Sequence, residues 1–360
     1  MSDTGRGDHA SEAVNFLIDN DSHVRYAFRV KKPAITLVTV ALTALVLTGC
    51  APFAAETVDD GTIDVVTTTN VYGDLAAHIG GDRVTVTALI DSAAKDPHSY
   101  EASARDRLTV QGADLVIENG GGYDAFMHDL LDGSTATVLT AVEYSHDFPG
   151  NETHEEDADA AHDEAAHDAE SHDEHAHDHG DHEHIEGFNE HVWFDPHTVS
   201  HLVDDIARTL TELDPERAET FAANAAELQT DLEGFEAQLA QLKTDAAGAG
   251  VFVTEPVPGY LAVAAGLTDL APEGFAAAVE EGRDVPPAML LNALDVIASG
   301  DVKAVLSNAQ TGGAETERIE TAARDAGIPV VGFREILPKG TTYSEWMTSA
   351  IDSLVAALTA

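Results

Sequence analysis

Only one cysteine, Cys50, occurs among the 360 residues, so no internal disulfide can form. Basic side chains are scarce. Eighteen Lys and Arg stand against 65 Asp and Glu, for a formal charge of −47. That balance excludes nucleic acid as a partner, because phosphate binding needs clustered cations. It favours small cations instead. Signatures of catalysis are missing as well: the chain has no H-E-x-x-H, no G-x-S-x-G and no P-loop. The apolar run Ala34–Thr48 stops at fifteen residues, short of the roughly 18 to 20 that a membrane span needs.

What is present starts with that run. Arg25, Arg29, Lys31 and Lys32 precede it, which is the layout of a secretory signal peptide. It ends at Leu47-Thr48-Gly49-Cys50, which resembles the bacterial lipobox, whose cysteine is lipidated and becomes the mature N-terminus. Residues 1–49 are therefore expected to be a signal peptide with an extended n-region. Residues 50–62 are expected to be the lipidated Cys50 and a tether holding the protein to the outer face of a bacterial cell membrane. The polar stretch Met1–His23 is unusual ahead of a signal, so the true start of translation is expected downstream.

The densest chemistry lies in residues 151–187. Between Asn151 and His184 there are fourteen acids and no Lys or Arg. Nine histidines share that stretch: His154, His162, His167, His172, His175, His177, His179, His182 and His184. Imidazole is a favoured ligand of zinc and its neighbours, and carboxylates draw cations toward it. With so few apolar side chains the tract cannot bury a core. It is expected to be a disordered loop that collects divalent metal.

Elsewhere β-branched runs alternate with helical patterns. Ile63–Thr69, Val84–Leu89, Leu115–Asn119 and Thr137–Leu139 read as strands in residues 63–212. Val251–Thr254, Ala304–Ser307 and Val330–Phe333 do so in residues 249–360. Alternation of this kind predicts α/β lobes with parallel sheets. Between them, Phe221, Leu228, Leu232, Phe235, Leu239 and Leu242 recur at helical spacing. One long helix of about 33 residues is expected within 213–248, capped by Asp214-Pro215. The fold class is thus two Rossmann-like lobes joined by one long backbone helix.

Six segments carry a resemblance: DPHSYE from Asp96, ENGGGYDAFM from Glu118, EHVWFDPHTV from Glu190, TEPVPGYL from Thr254, LSNAQT from Leu306 and ILPKGTTYSEWM from Ile336. Together they are similar to the metal-binding lipoproteins of ABC importers that deliver zinc or manganese. The likeness covers nearly all of the chain from Ile63 onward. It implies a monomeric solute-binding protein that passes Zn2+, or alternatively Mn2+, to a permease and its ATPase. It also implies four ligands. His98 and His191 match the family histidines, Glu255 stands where many zinc members have a third histidine, and Glu335 matches a position usually held by aspartate. The usual Asp-Pro-Leu is absent at that last position. Two imidazoles and two carboxylates leave a bound dication near neutral, which lowers the cost of burying it.

Taken without the resemblance, the residues leave alternatives open. Asp96 and Ser99 read as caps beside His98. His197 or His201 can be the ligand in place of His191, and Glu335 can pair with Arg334 or Lys339. Among functions, a metalloenzyme is disfavoured because four protein ligands leave no open position for water. An adhesin or a passive metal buffer remains a competing class.

Overall fold

The run Ile63–Thr69 (β1) is buried at all but one position. Central strands of parallel sheets, covered on both faces, need that near-continuous apolar character. β1 pairs with Val84–Ile90 (β2) on one side and Leu115–Glu118 (β3) on the other; Thr137–Thr140 (β4) extends the sheet beyond β3. Asn70–Gly80 (α1), Ala104–Gln111 (α2) and Phe126–Leu131 (α3) supply the crossovers. Pro196–Leu213 (α4) and Ala218–Ala246 (α5) follow. The second lobe runs through Gly250–Val253 (β5), Gly259–Ala264 (α6), Thr268–Asp269 (β6), Phe275–Glu280 (α7), Pro287–Ala298 (α8), Val302–Asn308 (β7), Ala314–Asp325 (α9), Val330–Phe333 (β8) and Tyr343–Thr359 (α10).

This computed structural model describes residues 61–151, 185 and 187–359, all inside one unit, Asp59–Ala360. The signal segment, Cys50 and the nine clustered histidines lie outside the described residues. No described helix is long and apolar enough to cross a membrane.

The two sheets follow one plan. Their strand orders are β2-β1-β3-β4 and β6-β5-β7-β8, and every pairing is parallel. In each, the order reverses beside the first strand, between β1 and β3 and between β5 and β7. The carboxyl ends of strands at such a reversal open onto a crevice, which is where α/β folds hold ligands.

Helix α5 joins the lobes. Its buried side chains are Phe221, Ala225, Leu228, Leu232, Phe235, Leu239 and Leu242, spaced alternately by four and three. That stripe packs on α1 and α4 of the first lobe and on α6 and α10 of the second. The result is one apolar core crossing both lobes, from Val65 and Leu75 through Leu232 and Phe235 to Leu306 and Ile351. Smaller cores lie on the far face of each sheet, around Val116 and Met127 in one lobe and Phe252 and Ile319 in the other.

Several sequence expectations are corrected here. α5 has 29 residues, about 44 Å, rather than 33, because Pro215–Arg217 forms a separate 3-10 turn. The Asp214 side chain does not cap it; it accepts from Arg83 at 2.8 and 3.0 Å. Asn70, the first residue of α1, holds the backbone of Leu337 in both directions at 3.0 Å, at the other end of the chain. β6 and α7 were not legible in the sequence, being two and six residues long.

Candidate metal centre

His98 follows β2 in a tight turn. Asp96 accepts from the His98 amide at 3.0 Å and from Ser99 Oγ at 2.8 Å, which caps the short turn Pro97–Ser99. The capping expected of Asp96 therefore positions the histidine rather than competing with it. Tyr123 stands edge-on to the His98 ring at 4.9 Å.

His191 is 1% exposed. Its Nδ1 faces Asn189 Oδ1 at 2.8 Å, and its amide donates to the same oxygen at 3.2 Å. A carbonyl oxygen accepts only, so Nδ1 carries the proton and Nε2 keeps its lone pair toward the cleft. Asn189 in turn donates to Pro256 O at 3.1 Å, across the lobes. Gly259 leaves room for this, since a Cβ there would meet Asn189 Nδ2 at 2.6 Å. The first lobe also braces the segment: Asn119 Nδ2 donates to Glu190 O at 3.0 Å. Asn119 begins the glycine turn, whose three glycines have φ of +79°, +68° and +100°. Asp124 ties that turn down, accepting from the amides of Asn119 and Gly120 at 2.7 and 2.8 Å.

The second lobe contributes carboxylates. Glu335 follows β8 and is 1% exposed; Tyr123 Oη donates to its Oε2 at 3.1 Å and Asn308 Nδ2 to its Oε1 at 2.7 Å. Glu255 follows β5 and accepts from Asn308 at 2.9 Å and Thr311 at 2.6 Å, both on Oε2. Its Oε1 is buried and accepts no hydrogen bond among the described residues. A buried acceptor left in that state is costly unless a cation meets it.

Donor atoms of His98, His191 and Glu335 lie within 4.8 Å of one another. His98 Nε2 is 3.9 Å from Glu335 Oε2. Glu255 is outside this group but joined to it through Asn308. Two further carboxylates were missed as donors by the sequence reading. Glu190, directly before His191, sits 3.5 Å from His98 Nδ1. Glu280, the last residue of α7, sits 3.4 Å from His191 Nε2. His98, Glu190 and Glu280 form a second group within 4.8 Å. An alanine-rich stretch between Gly274 and Gly282 was the available sign of α7, but nothing in it pointed at the cleft. His197 and His201, the alternative ligands, are on the exposed face of α4.

A cavity of about 280 Å³ reaches these groups; Asp96, His98, Glu255, Glu280, Thr311 and Glu335 are on its wall. Arg283 also lines it, but its guanidinium is paired with Glu281 at 2.6 Å. So many acids raise one another's proton affinity. Burial, then repulsion from Glu190, Glu335 and Glu255, pushes Glu280 up to about 9. Burial pushes Glu335 up to about 7, against the pull of its bonds from Asn308 and Tyr123. Burial raises Glu255 too, opposed by Thr311 and Asn308. The cleft thus gathers two imidazoles beside carboxyls whose proton affinity is raised by burial and by one another.

Comparison with known proteins bears on this arrangement. A family model described as ZnuA, zinc-uptake complex component A periplasmic, matches residues 65–357. The zinc-binding lipoprotein AdcA of Streptococcus pneumoniae is 27% identical over 244 residues, 67% of this chain and 44% of that protein. The manganese-binding lipoprotein MntA of Bacillus subtilis is 27% identical over 202 residues, 55% of each chain. The chain thus spans about half the length of these curated relatives. Among solved structures, the periplasmic zinc-binding protein TroA of Treponema pallidum superposes with a TM-score of 0.62 at 22% identity, covering 83% of this chain and 99% of that one. It shows the same fold of two parallel-sheet lobes. With the family match running from β1 nearly to the end of α10, the chain belongs to the ZnuA family.

Proposed function

We propose that this protein captures a divalent transition metal outside the cytoplasm and delivers it to an ABC-type permease and its ATPase. The observation that carries the reading is the convergence of donor atoms of His98, His191 and Glu335 within 4.8 Å of one another, beside a cavity that His98 and Glu335 line. In this reading Glu255 Oε1 turns to the ion once it enters, and Glu280 adds a further oxygen donor. Zinc is the favoured cargo. Oriented imidazoles suit it, and it stands well above manganese in intrinsic affinity. The name of AdcA supports zinc and that of MntA supports manganese as the alternative. Binding rather than catalysis is the role, since these donors can fill every position around the ion.

Cys50 would carry the lipid anchor, and the nine histidines from His154 to His184 would hold metal weakly near the cleft. Release is by local shifts at the cavity, because the shared core along α5 resists wide separation of the lobes. A zinc-versus-manganese competition titration tests the reading. One tight zinc site that manganese does not displace is expected in the intact protein, and its loss in a His98→Ala, His191→Ala double variant would place it in the cleft. An undiminished tight site in that variant would overturn the assignment.

A further inference from the structure

α4 buries Val199, Leu202, Val203 and Ile206 and leaves His197 and His201 in solvent. Four residues apart, the two histidines lie one above the other on the same helical face. Their Nε2 atoms are 3.3 Å apart, with the rings perpendicular and 4.8 Å between centroids. Zinc–imidazole bonds of about 2.0–2.1 Å at a tetrahedral angle place two nitrogens about 3.3–3.4 Å apart. The pair therefore already has the bite of a chelate. Two neighbours add to it. Glu236, on α5, lies 3.9 Å from His197 Nδ1. Its charge favours a cation at the pair. One Nε2 donates to the other across the 3.3 Å contact, and a metal bridging the two nitrogens would displace that proton. The His146 ring is 6.5 Å from His197, with Asp147 beside it at 3.2 Å.

We infer that His197 and His201 form a second, solvent-facing site for a zinc-class dication, distinct from the cleft. Two imidazoles set the class: manganese, at the weak end of the affinity order, should not occupy it. The H-x-x-x-H spacing is that of helical zinc sites, but Thr198 stands where metalloproteases carry the glutamate base, so the site binds and does not hydrolyse. Water completes the coordination, which makes the site weaker than the cleft and quick to exchange. That it serves as a way-station for the cleft rests on the metal-capture reading above; its existence does not.

The test is a zinc titration of the full chain with isotope-labelled histidines, following each imidazole by NMR. His197 and His201 should shift together and saturate at the same zinc concentration. His201→Ala, an exposed change to a good helix former, should weaken the His197 response by at least about tenfold, because a chelate becomes a single donor. Glu236→Gln, which removes a half-exposed charge 3.9 Å away, should weaken it by no more than a few-fold while the cleft histidines respond as before. A His197 response that is indifferent to His201→Ala, or that needs as much zinc as free imidazole, would overturn the site. Silence of His98 and His191 would instead sink the capture reading and leave this site standing.

Discussion

The two lobes share a strand order and differ in what they offer a metal. Loops of the first lobe present imidazoles: His191, oriented by Asn189 Oδ1, and His98, whose Nδ1 lies 3.5 Å from Glu190. Loops of the second present carboxylates, Glu255, Glu280 and Glu335, each raised toward neutrality by burial. One half supplies both imidazoles, with Glu190 beside them, and the other supplies three carboxyls whose protons burial holds. A cleft between like folds thus gains a graded donor set from unlike loops.

Removing an imidazole should be the most damaging way to test that division. His191→Ala is expected to weaken zinc about a thousandfold, about 4 kcal/mol, in a competition titration. A weaker effect than that of Glu335→Gln would reverse the ranking of the lobes. Truncating the shared stripe asks whether the lobes are separate at all. Phe235→Ala, 4% exposed in the core they share, should cost about 3–5 kcal/mol in denaturant unfolding and leave a single transition. Two resolved transitions would show that the lobes fold independently.

Proton competition should be smaller and directional. Glu335 and Glu280 bind protons more tightly in the folded apo protein than in the unfolded chain. Their contribution to apo stability is therefore lost as pH rises through about 7 and then about 9. Zinc must displace the same protons, so its affinity should rise over that window, by at most about tenfold per pH unit for each proton released. Calorimetry in buffers of different ionisation enthalpy would count the protons; a count of zero would contradict the picture. Least is expected of Glu280→Gln: a loss of about tenfold for manganese and only a few-fold for zinc, since harder ions depend more on oxygen. Equal losses for the two metals would remove Glu280 from the donor set.

Much of the fold was legible because its periodicities were strong. β1 reads as a β-branched run interrupted only at Asp64, and the stripe of α5 recurs at four and three over its length. The ends of elements were not legible, because partners distant in sequence decide them. Arg83 claims Asp214, and Leu337 claims Asn70. At the cleft, family-like motifs pointed to His98, His191, Glu255 and Glu335, of which His98, His191 and Glu335 converge within 4.8 Å. Glu280 was not among them, because its approach to His191 depends on a six-residue helix with only a phenylalanine, three alanines and a valine before it. The pairing of His197 with His201 could have been drawn from the apolar stripe of α4, which turns both to the opposite face.

The clasp of Asn70 on Leu337 changes how the donors are grouped. Ile336 is buried in the core beside Val66 and Met127, and Glu335 accepts from Tyr123, so this stretch belongs to the second lobe by sequence and to the first by attachment. A motion between the lobes that spares the clasp and breaks the Asn308 bond to Glu335 would carry Glu335 along with the histidines. The donors that then depart are those after β5 and at the end of α7. Unloading would proceed in a set order, from a fully enclosed ion to one held on a three-donor ledge, and the rate of leaving would be governed by that last grip.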